Sequence, residues 1–200
     1  MAEYFDINNN AAVLLILLVT TVGASAFAFQ SSAPHSTDTN INQDAGYQGH
    51  VDATLYNADG EVIDTHQGEN LLTNDGANYF RSLATGQTSN AIDWVALSTE
   101  ANYQKDVTND FLASEVTQNN LSRTQAEIST TDTGEWEINA EWTASGEVNG
   151  VTAAGLFPHD VQGTTDDPSN ILVAEETMNE KVFRDGYTFE LTWTIRQVPG

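Results

Sequence analysis

The sequence contains no cysteine and almost no cationic side chains: two Lys and four Arg stand against 29 Asp and Glu in 200 residues. Without cysteine there is no disulfide framework, no thiolate metal ligand, no zinc knuckle and no thiol nucleophile. Stability must come from packing. The shortage of cations excludes nucleic acid as a partner, because phosphate contacts need clustered Lys and Arg, and no Lys or Arg precedes Arg81. The patterns of an enzyme are also missing. No nucleophile elbow surrounds any Ser, no two of His35, His50, His66 and His159 have helical metal-ligand spacing, and Gly60, Gly68, Gly76 and Gly86 fall at separate turns rather than in a phosphate cradle. The expectation is a non-enzymatic chain with no cofactor and no metal.

What the sequence has in excess is negative charge. The formal net charge is −23 and the sequence pI about 4.1. The acids are scattered, from Asp52 and Glu61 through Glu100, Glu127, Glu141 and Glu175 to Glu190, with no single dense block. A docking surface for one basic partner would concentrate them. Molar salt, where the Debye length is roughly 3 Å, screens the self-repulsion of such a surface. The composition resembles that of halophilic archaeal proteins and of their viruses. A hydrophobic content of 40% is enough for a real core, so wholesale disorder is not expected.

The charge stops at Asp6 and resumes at Asp38. After a polar tail at residues 1–10, residues 11–29 (AAVLLILLVTTVGASAFAF) are uncharged and apolar throughout. As a helix they reach roughly 28 Å, close to the hydrocarbon thickness of a bilayer. They are read as a transmembrane anchor, carried by Ala11, Val13, Leu14, Leu15, Ile16, Leu17, Leu18, Val19, Val22, Phe27 and Phe29. A cleaved signal peptide ending at Ala24-Ser25-Ala26 is the competing reading; against it, Glu3 and Asp6 stand where a signal needs positive charge. A buried core helix would need a polar face, and a pilin-like filament helix a basic processing site. No Lys or Arg flanks the segment to orient it, and the acidic domain is expected on the outer side. Residues 30–48, polar with one Pro and a solvated His35, read as a linker or stalk.

From Gly49 onward the period becomes two. Val51, Ala53 and Leu55 alternate, Asn57-Ala58-Asp59-Gly60 makes a turn, and Val62-Ile63 starts the return, so residues 49–67 are expected to form a hairpin. Residues 71–84 give the one helix of the domain, with Leu72, Tyr79, Phe80 and Leu83 on one face, a cap among Thr73, Asn74 and Asp75, and Gly86 past its end. Strands are expected at 92–98, buried on both faces, at 121–129, 151–157 and 171–177, with a polar loop at 99–110. In the segment 135–142, Trp136, Ile138, Ala140 and Trp142 face inward; in the last strand Tyr187, Phe189, Leu191, Trp193 and Ile195 do the same. Trp94, Trp136, Ile138, Trp142, Phe157, Phe189, Leu191, Trp193 and Ile195 are the expected core. Seven or eight strands in residues 49–200 point to an all-β domain, an antiparallel sandwich of jelly-roll type with one short helix, preceded by the transmembrane helix.

Candidate sites are few. His50 and His66, near the two ends of the first hairpin, are a possible metal pair, with exposed strand-end side chains as the default. Glu175-Glu176 and Asp166-Asp167 offer paired carboxylates, which arise without purpose in a chain this acidic. Asn120-Leu121-Ser122 is a formal glycosylation acceptor. The Trp residues are core before they are sugar platforms.

The order of features in residues 68–197 resembles a module of structural proteins from tailed phages and archaeal viruses. GENLLTNDGANYFRSL (68–83) stands where such modules enter a short helix. IDWVALSTE (92–100), FLASEV (111–116) with Arg123, GEWEINAEWTAS (134–145), GVTAAGLFP (150–158) and DGYTFELTWTIR (185–196) follow in the same order, over about two thirds of the chain. Ala153-Ala154 replaces the usual acid before Gly-Leu-Phe. The resemblance implies a β-sandwich that builds or decorates a virion. With the anchor, the expected protein is a membrane-bound structural component of a haloarchaeal virus particle. Its partners are the lipid bilayer and other capsid or surface-layer proteins, and it is oligomeric within the assembly. The alternative is a haloarchaeal cell-surface adhesin or pilus-like filament subunit.

Overall fold

Alternation of apolar and polar residues dictates the longest strands of the structure, a computed structural model that describes residues 46–161 and 170–198. The anchor segment 11–29, the tail and linker up to residue 45, His35 and Asp166-Asp167 lie outside the described residues. β1 (Gly46–Tyr56) and β2 (Val62–Glu69) form the expected hairpin. Its turn is held by the Asn57 side chain, whose Oδ1 accepts from the amides of Asp59 and Glu61 at 3.0 and 2.9 Å, while Gly60 takes a φ of +81°. β1 starts at Gly46, so residues 46–48, expected in the linker, belong to the sandwich.

A two-residue strand β3 (Leu71–Leu72) precedes α1 (Asn74–Ala84). Leu72 therefore sits on a strand rather than on the helix face expected of it. Thr73 caps the helix, its hydroxyl accepting from the Gly76 amide at 2.9 Å. Tyr79 is buried, and Phe80 and Leu83 pack partly buried against the core.

The remaining strands are β4 (Trp94–Ser98), β5 (Thr124–Gln125), β6 (Glu127–Asp132), β7 (Glu135–Thr143), β8 (Val148–Phe157), β9 (Ala174–Phe183) and β10 (Thr188–Val198). They pair antiparallel in two five-stranded sheets, ordered β2-β1-β10-β7-β6 and β3-β9-β8-β4-β5. Among the described residues the fold is an all-β sandwich with one short helix. The ten strands among the described residues exceed the expected number because two of them have only two residues. The expected strand 121–129 is split: β5 pairs with β4 in the second sheet, and past Ala126 β6 pairs with β7 in the first. The expected strand 171–177 is displaced, since β9 begins at Ala174 and runs six residues further, to Phe183.

The main core lies between the sheets. Ile138, Trp142, Phe189, Leu191, Trp193 and Ile195 of the first sheet meet Val95, Leu97, Val151, Ala154, Leu156 and Phe183 of the second. Full burial of one such side chain stabilises by about 1.5–3 kcal/mol. Trp136 is half-buried at the margin of this cluster. A second cluster, Ala96, Tyr103, Leu112, Ala153, Phe157 and Leu172 with Trp94 partly buried beside it, lies on the other face of β4 and β8. The long connection between β4 and β5 supplies its cover, which is why Val95, Ala96, Leu97 and Ser98 are all buried. No helix among the described residues is long and apolar enough to cross a membrane.

Candidate functional site

The connection of residues 99–123 is polar in sequence and folds as a lid over the second sheet. What holds it there is a pair of buried acids on β9. Side chains alternate across a strand, so Glu175 faces the lid while Glu176 faces the first sheet. Glu175 is fully buried. It accepts from the Tyr103 hydroxyl, from the Asp106 amide at 2.6 Å, and from Asn109 Nδ2 at 3.1 and 3.0 Å to its two oxygens. Burial pushes its carboxyl above the ordinary glutamate range, and the donors pull the other way. Tyr103 is pushed up in turn, by its own burial first and then by its bond to Glu175.

Glu176, 3% exposed, lies 3.1 Å from His66 Nε2 and 2.8 Å from Lys105 Nζ. Lys105 also donates to the Glu69 carbonyl at 2.6 Å, so one ammonium ties the lid to both sheets. Further along β9, fully buried Lys181 pairs with Asp64 of β2. Donation from Lys181 holds the Asp64 carboxyl below its usual range. β2 and β9 belong to different sheets, and ion pairs rather than ladder hydrogen bonds join these two strands.

The far part of the lid is pinned by Arg123. Its guanidinium is completely buried and lies 3.6 Å from the centroid of the Phe157 ring. It reaches Glu115 through Nε at 3.0 Å and Nη2 at 2.8 Å, Asn170 Oδ1 at 3.0 Å and the His159 carbonyl at 2.9 Å.

The sequence candidates separate in space. His50 sits opposite Glu69, His66 opposite Ala53, and each binds its own acid, His50 with Asp52 at 3.4 Å and His66 with Glu176. The hairpin does not bring the two His together. Among the described residues no three His, Asp or Glu converge to hold a metal ion. Glu175 and Glu176 do not form a joint site either, since they point to opposite faces of one strand. Reasoning from sequence passed over Tyr103, Asn109, Lys105 and Lys181. The one signal available was the placement of scarce Lys and Arg beside acids in a chain that otherwise avoids cations.

An open groove of about 390 Å³ is lined by Glu127, Asn139, Ala140, Glu141, Glu190, Leu191 and Thr192 of the first sheet and by Gln125 of β5. Thr192 donates to Asn139 Oδ1 at 2.8 Å, and the Tyr56 hydroxyl donates to Glu190 at 3.0 Å. This surface offers carboxylates and amides for hydrogen bonding.

No family model, curated protein or solved structure matches the chain.

Proposed function

We propose that the protein is a non-enzymatic structural component of a haloarchaeal virus particle, held in a membrane by residues 11–29 and presenting the acidic sandwich to other capsid proteins. The observation that carries this reading is the join of two opposites in one chain: an uncharged apolar run long enough to span a bilayer, and a domain in which three of the six Lys and Arg, Lys105, Arg123 and Lys181, are drawn into internal ion pairs. Such a domain leaves an acid-rich exterior suited to concentrated salt. The chemistry of its buried acids supports scaffolding, because Glu175, Glu176 and Glu115 are saturated by protein donors. Further support comes from the module resemblance, whose segments form β4, β7, β8 and β10 and supply the Glu115–Arg123–Phe157 pin.

The test is fractionation of particles and producing cells in high salt. The chain is expected to co-sediment with purified particles, to resist a salt wash and to be released with lipid by detergent, with residues 11–29 still present by mass spectrometry. A chain beginning at Gly46 is expected to remain in the aqueous phase. Absence from purified particles, or an N-terminus beyond residue 24, overturns the reading.

The open groove favours a second reading, a cell-surface adhesin, since carboxylates and amides on a sheet face suit a polyhydroxylated ligand. Recovery of the chain on cell envelopes but not on particles, with glycan binding lost on replacing Glu141 and Glu190 by Ala, selects it.

A further inference from the structure

The apex of the tight turn at residues 118–121 is a feature of the described domain that neither the packing nor the proposed anchoring uses. The Leu121 amide donates to the Gln118 carbonyl at 3.0 Å, and both central residues are left-handed, Asn119 with a φ of 55° and Asn120 with a φ of 59°. This is the arrangement of a type I′ turn. Asn tolerates it better than other residues with a side chain, which accounts for two Asn in a row. Turn formation accounts for nothing else here.

The two Asn differ in what they do. Asn119 is tied down: its Nδ2 donates to the Glu147 carbonyl at 3.0 Å, and its own carbonyl accepts from the Ser145 amide at 3.0 Å. Asn120 is exposed at the apex, and its side chain makes no hydrogen bond among the described residues. Leu121 is fully buried, and the Ser122 carbonyl accepts from Trp142 Nε1 at 2.8 Å, so the turn is held rigidly at its base. The free amide is the one that carries a hydroxyl residue two places on.

We infer that Asn120 is an N-glycosylation site, its exposed and unengaged amide presented with Ser122 at the end of the sandwich opposite Gly46, the first residue of β1. The placement follows from strand direction. β1 runs from Gly46 to Tyr56, a span of roughly 33 Å at about 3.3 Å per residue. Tyr56 lies opposite Thr188 of β10, which lies opposite Thr143 of β7, so the turns that follow Tyr56 and Thr143 share one end. The bonds of Asn119 to Ser145 and Glu147 bring the Asn120 turn to that end too.

The donor is a lipid-phosphate-linked saccharide, and the catalyst a transferase of the outer compartment. The amide nitrogen of Asn120 attacks the anomeric carbon, an N–C bond forms, and the C–O bond to the lipid phosphate breaks. The phosphate leaves with the electron pair, and the amide gives up one proton to a base of the transferase. The site rests on the reading that the sandwich lies outside the membrane.

Trypsin cutting after Lys105 and Arg123 releases residues 106–123, which hold a single acceptor motif. Mass spectrometry of this peptide from the full chain in its native host is expected to show added saccharide mass located on Asn120. Ser122→Ala is expected to return the bare peptide mass while leaving the domain folded, since the Trp142 bond uses the Ser122 backbone. A bare parent peptide from the lipid-bound fraction overturns the modification and leaves the anchored reading standing. A modified peptide on a chain that stays free of lipid does the reverse.

Discussion

Glu175 and Glu176 are neighbours in the chain and face opposite ways across β9. The first is sealed beneath Tyr103 and Asn109 of the lid, and the second is held by Lys105 and His66. One has a cation and the other has only dipoles, and that difference gives them opposite consequences when pH changes or a partner is removed.

For Glu175 the sign follows from burial. Its folded value is raised above the ordinary glutamate value of 4.5, so the folded state holds a proton more tightly than the unfolded chain. Stability therefore falls as pH rises from 4.5 through the folded value. Glu175→Gln keeps an acceptor for the Asp106 amide and removes the charge. The gap in urea stability between Glu175→Gln and the parent, at fixed high salt, is expected to shift in the mutant's favour from pH 4.5 to pH 7. A gap that stays constant over this range refutes the assignment.

Arg123 tests the pinning of the lid. Arg123→Ala leaves Glu115 buried without its cation, at a cost of about 3–5 kcal/mol. In the double variant Arg123→Met with Glu115→Gln no uncompensated charge remains, and most of that loss is expected to be regained. Urea midpoints at constant salt measure both. A double variant as unstable as Arg123→Ala would show that the charge pair is not what matters.

Gly76 inverts a common rule. Replacing glycine by alanine inside a helix ordinarily stabilises by about 1 kcal/mol. Here α1 lies so close to the segment before β9 that an added Cβ would overlap the Val173 carbonyl. Gly76→Ala is expected to destabilise by about 1–3 kcal/mol, the usual range for overpacking. A rise in melting temperature would contradict the close approach.

Salt acts on the whole surface. At 0.1 M the Debye length is about 10 Å and repulsion among the acids is felt across the domain; at 1 M it is about 3 Å. The melting temperature is expected to fall steadily as salt is diluted from molar to 0.1 M. An unchanged or rising melting temperature would remove the case for a high-salt surface.

The sandwich was legible wherever a strand has one dry face. Trp136 to Trp142 on β7 and Phe189 to Ile195 on β10 announce their orientation by strict alternation. Legibility failed where a strand is covered on both sides or changes its pairing. Met178-Asn179-Glu180-Lys181 has no period because the β8–β9 register shifts nearby and Lys181 is buried through its bond to Asp64. Ala126 looks like the middle of a strand and is where the chain passes from one sheet to the other. Glu175-Glu176 reads as two more acids among 29; the roles of this pair depend on Tyr103 and Lys105, some 70 residues earlier, and no local pattern encodes that meeting. The lid itself reads as a polar loop, because its anchoring residues are polar and only the tertiary fold hides them.

All six Lys and Arg lie among the described residues, and four of them are held in ion pairs. Both Lys are in that group, Lys181 sealed beside Asp64 and Lys105 held between Glu176 and the Glu69 carbonyl. The folded sandwich thus has almost no reactive primary amine to offer. Amine-directed crosslinkers would find little to attach to on the folded domain, whereas carboxyl-activating reagents would find many targets.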